Sequence, residues 1–343
     1  MGFDVLLVGR KKHDSLRMSK RAYETYRLML LFEKGPLFYM EYNLRLFFFL
    51  LINPHDLLVS NDLDTLLPNF LMHKLKGKPL VYDSHEYFLG VPELEGRPFV
   101  RGIWKRIESH IFPKLKHIFT VNQSIAGLYK KDYGKELRVV RNMPERMTPP
   151  VPDKAALGLP EDRPILILQG AGINIDRGAE EAVLAMQYLE HALLLIIGSG
   201  DAIPGLKVLV AEHQLETKVM FIPRQPLAAL LQYTVCADIG LTLDKDTNLN
   251  YRYSLPNKIF DYIQAGVPVL ASDLPEIRKV IDEYKLGLIT PSHDPQIIAV
   301  RMKEMLADPE RIAMWKENLI IAARNLCWEN EVHALQEVYG QYL

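Results

Sequence analysis

Short apolar runs recur along the chain, each closed by polar residues. Between them, apolar positions return every three or four residues. The runs read as strands buried on both faces, and the periodic stretches as helices packed against them. In the first half the runs fall at residues 3–8, 57–60, 79–82, 117–121 and 137–140, with helices between, including one around 103–112. In the second half they fall at 165–169, 192–197, 218–222, 238–243 and 267–271. Strict alternation of strand and helix predicts an α/β chain with a mostly parallel, doubly wound sheet in each half, that is, two Rossmann-like domains. Ligands of such sheets gather at the carboxyl ends of the strands. The polar groups at those ends include Asn61-Asp62, Asp83-Ser-His85-Glu86, Asn122-Gln-Ser124 and Arg141-Asn142.

Residues 144–164 are rich in proline and charge and read as an inter-domain connection. The pattern places an N-terminal domain at 1–145, a linker at 146–164, a second domain at 165–308 and a helical tail at 309–343. No short-period repeat is present, so a solenoid is excluded.

The stretch 253–273 carries the most chemistry. Pro256 suits a first helical turn, Ser254 is available as its cap, Gly266 suits the left-handed stop, and Pro268 blocks continuation. A buried strand follows. Such a helix start offers free N–H groups and a positive dipole end, which suits a phosphate. Lys258 adds a full charge in the first turn. Asp261, one turn on, can accept hydrogen bonds from two vicinal hydroxyls. Together these residues describe a place for a sugar nucleotide.

This stretch resembles the nucleotide-sugar site of retaining glycosyltransferases of the GT-B fold, in particular glycosyltransferase family 4, and the likeness extends over nearly all of the chain. In that family two glutamates eight residues apart precede the helix end, Gly, Pro and strand. Asp261 matches the second and implies contact with the donor ribose. Tyr253 stands where the first is expected, so the usual contact to the transferred sugar is altered. The Pro-Asn-Lys-x-Phe-Asp-Tyr wording, with Asn257 beside Lys258, is similar to a subgroup of the family. The resemblance further implies a Gly-rich diphosphate loop at Gly170 and Gly172, with Ala171-Gly172 replacing the usual basic residue. Arg177 matches the cation before a helix-opening glycine. Gly198 ends another strand where backbone approaches donor, and Arg224-Gln225 match the loop that reads the base edge.

His85 matches the family histidine that faces the transferred sugar. His85, Arg177 and Lys258 are therefore the expected catalytic residues, with Asn61, Asp62 and Glu86 on the acceptor side. Retaining transfer of this kind needs no protein nucleophile, and catalysis is positioning plus stabilisation of departing negative charge. Asp62-Leu-Asp64 resembles a manganese-binding Asp-x-Asp, but it opens a helix after a strand, where aspartate is an ordinary cap. No metal and no cofactor are expected; the nucleotide-diphosphate sugar is the donor substrate. Family members open with a further βα unit of about 30 residues before a strand like residues 3–8, so the N-terminal domain reads as lacking its first unit. Trp328 and Glu329 resemble the tail that returns to the N-terminal domain.

Composition changes this picture little. Apolar residues are 48% and charged residues 24% of 343, as in ordinary globular chains. Cys236 and Cys327 argue against a disulfide scaffold and for a reducing compartment. No signal-peptide pattern opens the chain, and the longest apolar run, 46–52, is far below the ~20 residues of a membrane helix. The net charge of −1 hides an asymmetry. Residues 1–150 hold 24 Lys and Arg against 16 Asp and Glu, the remainder 17 against 26. A basic half suggests an anionic partner. Residues 10–27 hold seven Lys and Arg interleaved with aromatics, and 38–52 is strongly apolar. This is the pattern of a segment on an anionic membrane surface, the alternative being an acceptor loop followed by a core helix. The expected partners are a nucleotide-sugar and a glycan or lipid-linked acceptor, at the inner membrane face of the cytoplasm; nucleic acid is not expected. A dehydrogenase is excluded, because neither Gly170-Ala-Gly nor Gly198-Ser-Gly has a third glycine in place. A GT-B isomerase or phosphorylase, or a degenerate non-catalytic relative, stands as the alternative.

Overall fold

The computed structural model describes all residues except 14, 16, 17 and 19. The chain forms two compact units, residues Met1–Arg141 with Val332–Leu343, and Asn142–Glu331. In the first unit the elements are β1 (Leu6–Lys11), β2 (Glu24–Met29), α1 (Gly35–Ile52), β3 (Leu58–Asn61), α2 (Leu66–Lys76), β4 (Leu80–Ser84), α3 (Pro98–Ile111), β5 (His117–Thr120), α4 (Gln123–Tyr133) and β6 (Arg138–Val139). Strands β3, β4, β5 and β6 form a parallel sheet in chain order, and β1 pairs with β2, also in parallel.

The second unit is a six-stranded, all-parallel sheet. Its elements are β7 (Ile165–Gly170), α5 (Ala179–Ala185), β8 (Leu193–Gly198), α6 (Ile203–Glu212), β9 (Val219–Pro223), α7 (Leu227–Thr234), β10 (Ile239–Thr242), α8 (Leu249–Arg252), α9 (Asn257–Ala265), β11 (Val269–Ser272), α10 (Pro275–Tyr284), β12 (Gly287–Thr290), α11 (Pro295–Leu306) and α12 (Pro309–Asn325). Strand order is β12-β11-β10-β7-β8-β9. Helix α13 (Trp328–Tyr339) follows.

The continuous apolar runs of β7 and β8 are explained by burial on both sides. Successive side chains of a strand point to opposite faces. Leu166, Leu168, Leu194 and Ile196 pack with Ala182 and Val183 of α5, Leu206 of α6 and Ile298 of α11. Ile165, Ile167, Leu193 and Leu195 pack with Phe260 and Ile263 of α9, Ile277 of α10 and Leu319 of α12. This is the doubly wound arrangement the pattern predicts.

Four local expectations differ from the structure. The first strand lies at 6–11 rather than 3–8. Residues 24–29, read as part of a loop or membrane segment, are a strand that pairs in parallel with β1; Leu28 is buried while Glu24 and Tyr26 stay exposed. The rest of that basic segment includes residues 14, 16, 17 and 19, which lie outside the described residues. Strand β12, with only Thr290 of its four residues buried, is too short and too lightly buried for periodicity to find. The expected tail 309–343 is divided: α12 counts with the second unit and residues 332–343 with the first. There Val338 packs on Val81 of β4 and Phe119 of β5.

A candidate anion and ribose site at the strand ends of the second sheet

Loops after β7, β8 and β10 and the start of α9 hold the donor-side candidates. Gly198 pairs with Gly170 in register, and a Cβ on Gly198 would stand 1.8 Å from the Gly170 carbonyl oxygen. A Cβ on Gly200 would stand 2.0 Å from the Ile173 carbonyl oxygen. The two strand-end loops are therefore in backbone contact, and glycine is obligatory at 198 and 200. Gly170 and Gly172 are under no such constraint, since a Cβ at either meets only ordinary contacts. At Gly178, φ is 75° and a Cβ would lie 2.1 Å from the Leu243 carbonyl oxygen. This close approach sets Arg177 beside the end of β10.

There the two expected cations meet a residue that the sequence reading missed. Asp244, fully buried, receives Arg177 Nη1 on Oδ1 at 2.7 Å and faces Lys258 Nζ with Oδ2 at 3.4 Å. Thr242 Oγ1 donates to Oδ2 at 3.2 Å. Burial pushes the Asp244 carboxyl up, but Lys258 and Arg177 outweigh it and hold it below the ordinary carboxylate range. Burial lowers the Arg177 guanidinium, and Asp244 more than reverses that. The guanidinium also stacks over the Tyr251 ring, 4.2 Å from its centre. Two cations against one carboxylate leave a single positive charge at this point. The only available signal for Asp244 was its place two residues beyond an apolar strand.

Helix α9 begins at Asn257, with Pro256 in the extended backbone just before it. Two expectations change here. Pro256 precedes the first turn instead of occupying it. Ser254 does not cap α9; its Oγ donates to the Tyr251 carbonyl at 2.9 Å and closes α8. Among the described residues α9 has no side-chain cap hydrogen bond at its N-terminus. Gly266 ends the helix at φ 70°, as expected.

Asp261 is a second, half-buried carboxyl. Burial raises it to about 6, against the opposing hydrogen bond from Gln169 Nε2 at 3.2 Å. Gln169, which is buried, accepts from Thr234 Oγ1 at 2.8 Å. The chain Thr234–Gln169–Asp261 fixes the carboxyl from behind. Gln169 and Thr234 were not foreseen, because each stands in an otherwise apolar run. Asn257 and Arg224 are exposed, and Gln225 bonds the Pro223 carbonyl at 2.9 Å, at the end of β9. These three have no described contact with the Asp244 group. Tyr253 is half-buried at the end of α8, under the Arg252 guanidinium.

In the first unit, His85 follows β4. Its backbone N–H donates to Asp62 Oδ1 at 2.8 Å, and its ring faces both Asp62 and Asp83. Asp62 does not cap a helix as expected; the short 3₁₀ turn after it has no side-chain cap, and the carboxylate turns to His85 instead. Asn61 ends β3, and its carbonyl accepts from Thr65 Oγ1 at 2.7 Å. Burial raises Glu86 to about 7, and Asp64 to about 6. Among the described residues, no group of three or more His, Cys, Asp or Glu side chains is arranged to hold a metal ion. Likewise, no described helix is long and apolar enough to cross a membrane.

Residues 152–320 match the family described as glycosyl transferases group 1. Among curated relatives, D-inositol 3-phosphate glycosyltransferase of Xylanimonas cellulosilytica is 25% identical over 232 residues, 61% of this chain and 53% of that protein. Probable glycosyltransferase WbjE of Pseudomonas aeruginosa is 26% identical over 213 residues, 59% of this chain and 52% of that protein. The chain thus spans about half the length of the curated relatives it matches. Sucrose-phosphate synthase from Thermosynechococcus elongatus superposes with a TM-score of 0.78 at 18% identity, over 99% of this chain and 89% of that one. Anabaena Alr3699/HepE, solved with UDP-glucose, superposes with 0.74 at 13% identity, over 93% and 86%. These likenesses establish the fold as two-domain, Rossmann-like GT-B. Residues 152–320, just under half of the chain, thus resemble the glycosyl transferases group 1 family.

Proposed function

We propose that the protein is a glycosyltransferase that takes a sugar from a nucleotide-diphosphate sugar. The observation that carries this reading is the Arg177–Asp244–Lys258 group beside an uncapped helix start. Paired cations and free N–H groups suit a diphosphate. Asp261, one turn further on and backed by Gln169, is set to accept from ribose hydroxyls. The solved relative HepE carries UDP-glucose, which supports a donor of this class. Gly170, Gly172 and Gly198 would line the diphosphate, with Arg224, Gln225 and Asn257 toward the nucleoside.

The departing diphosphate accumulates negative charge as the sugar bond breaks. Arg177, Lys258 and the α9 start stabilise it, and its oxygen takes the acceptor proton on the same face, giving retention without a metal. His85 contacts substrate, with Asn61, Asp62 and Glu86 on the acceptor side. The acceptor is a glycan or a lipid-linked glycan. A station at the inner membrane face is supported by α1, where Leu44, Phe48, Leu51 and Ile52 are exposed, while Phe38, Tyr42, Leu46 and Leu50 are buried. Co-sedimentation with anionic vesicles, lost in a Phe48→Glu/Ile52→Glu variant, tests that station.

One observation favours a second reading. Tyr253 replaces the carboxylate expected at the transferred sugar, as in a relative that binds the nucleotide without turning over. Calorimetric binding of UDP, GDP and ADP, paired with release of free sugar from the matching nucleotide-sugars, separates the two. Binding with Lys258-dependent turnover supports the enzyme. Binding without turnover supports the second reading, and no binding overturns both.

A further inference from the structure

His85 lies between two carboxylates. Its Nδ1 is 3.4 Å from Asp62 Oδ2, and its Nε2 is 3.5 Å from Asp83 Oδ2. A neutral imidazole has one N–H and one bare nitrogen, so one ring edge would turn a lone pair toward an acceptor-only carboxylate. Only the doubly protonated ring donates to both. Asp62 also fixes the main chain, since its Oδ1 accepts the His85 backbone N–H at 2.8 Å. One carboxylate thus sets both the position and the charge of the ring.

Asp62 does this from an unusual backbone. Its φ is 56° and its ψ 170°, a region that essentially only glycine visits. Its own N–H donates to the Asp83 carbonyl at 2.8 Å, tying the strained residue to the end of the neighbouring strand. Strain of this kind persists where surrounding structure over-determines it, commonly at functional sites.

The charged surroundings agree. Asp62 raises the ring most, burial opposes it, and Asp83 and Glu86 add to the rise, to about 9. Further out, Asp64, Glu93, Glu86 and Arg10 share the field around Tyr39 of α1, and Tyr339 of α13 faces Asp83. Burial also raises Asp83, which His85 lowers in turn, and raises Glu86.

We propose that Asp62 is a positioning residue that holds His85 as an imidazolium, so that His85 meets substrate as a fixed cation and not as a base. This rests on the proposed part of His85 in sugar transfer. A cation there favours negative charge developing on substrate oxygens.

The test needs no substrate, so it stands apart from the success of the transferase reading. The full chain, with ¹³C at histidine Cε1, is titrated by NMR from about pH 5 to 10 around the ordinary histidine value of about 6.5. A His85→Gln variant identifies the signal. Wild-type His85 is expected to titrate near 9. Asp62→Asn should lower that midpoint by about one pH unit or more, the effect of losing an adjacent opposite charge. Asp62→Gly should lower it equally while keeping the fold, because glycine accepts φ 56° without strain. A wild-type midpoint at or below about 6.5, or a midpoint unmoved in a folded Asp62→Gly protein, overturns the proposal.

Discussion

Replacing Asp244 by asparagine tests the heart of the proposed donor site. The substitution keeps shape and an acceptor oxygen but removes the charge between Arg177 at 2.7 Å and Lys258 at 3.4 Å. Breaking a buried pair by deleting one partner costs about 3–5 kcal/mol, because the other charge stays buried. The Arg177 and Lys258 side chains retain 27% and 12% exposure, so water screens part of this and the low end applies, about 3 kcal/mol. For a unit of this size that is a fall of roughly 6–12 °C in Tm. A bound diphosphate restores the missing negative charge. Nucleotide at ~100 times its Kd stabilises by about 2.7 kcal/mol, which recovers most of the deficit. The variant should therefore gain more from the nucleotide than the wild type does. Differential scanning calorimetry with and without UDP or GDP reads both effects. If the variant melts within about 1 °C of wild type, or gains no more from nucleotide, Asp244 does not offset the charge of Arg177 and Lys258.

Lys258→Ala should lower kcat by about 10²–10³, as for loss of one preorganised charge donor, seen in steady-state kinetics with the accepted nucleotide-sugar. Nucleotide affinity should fall as pH drops through about 6, because Asp261 then protonates and stops accepting from the ribose. Asp261→Asn should flatten that profile in calorimetry between pH 5 and 8. The stability term of Asp261 has the opposite sense. Its folded value is raised, so its contribution is full below its unfolded value and is lost as pH rises through about 6. Gly198→Ala should destabilise the second unit by at least about 2 kcal/mol in urea unfolding, because its Cβ would meet the Gly170 carbonyl. Gly172→Ala, whose Cβ would meet only an ordinary contact to Asn174, should be within about 0.5 kcal/mol of wild type.

Periodicity was enough to read the sheet of the second unit because β7 and β8 are buried on both faces, which writes an unbroken apolar run into the sequence. It failed at β2 and β12, where half-exposed strands leave no such run. Arg177, Lys258 and Asp261 could be singled out in the sequence for a different reason: the family resemblance ties them to positions near Gly178 and Gly266, where the backbone is left-handed. Asp244 has no such marker. It acts through space, on residues 67 positions upstream and 14 downstream, and an aspartate after a strand reads equally well as a cap. The same holds for Asp62, which sequence reads as a helix cap and the fold turns toward His85. In both places the sequence singled out one member of the pair and not the carboxylate that faces it. Burial explains the asymmetry. A cation taken out of water needs an anion within a few ångströms, but many points on a folded chain meet that need, and only the fold selects one.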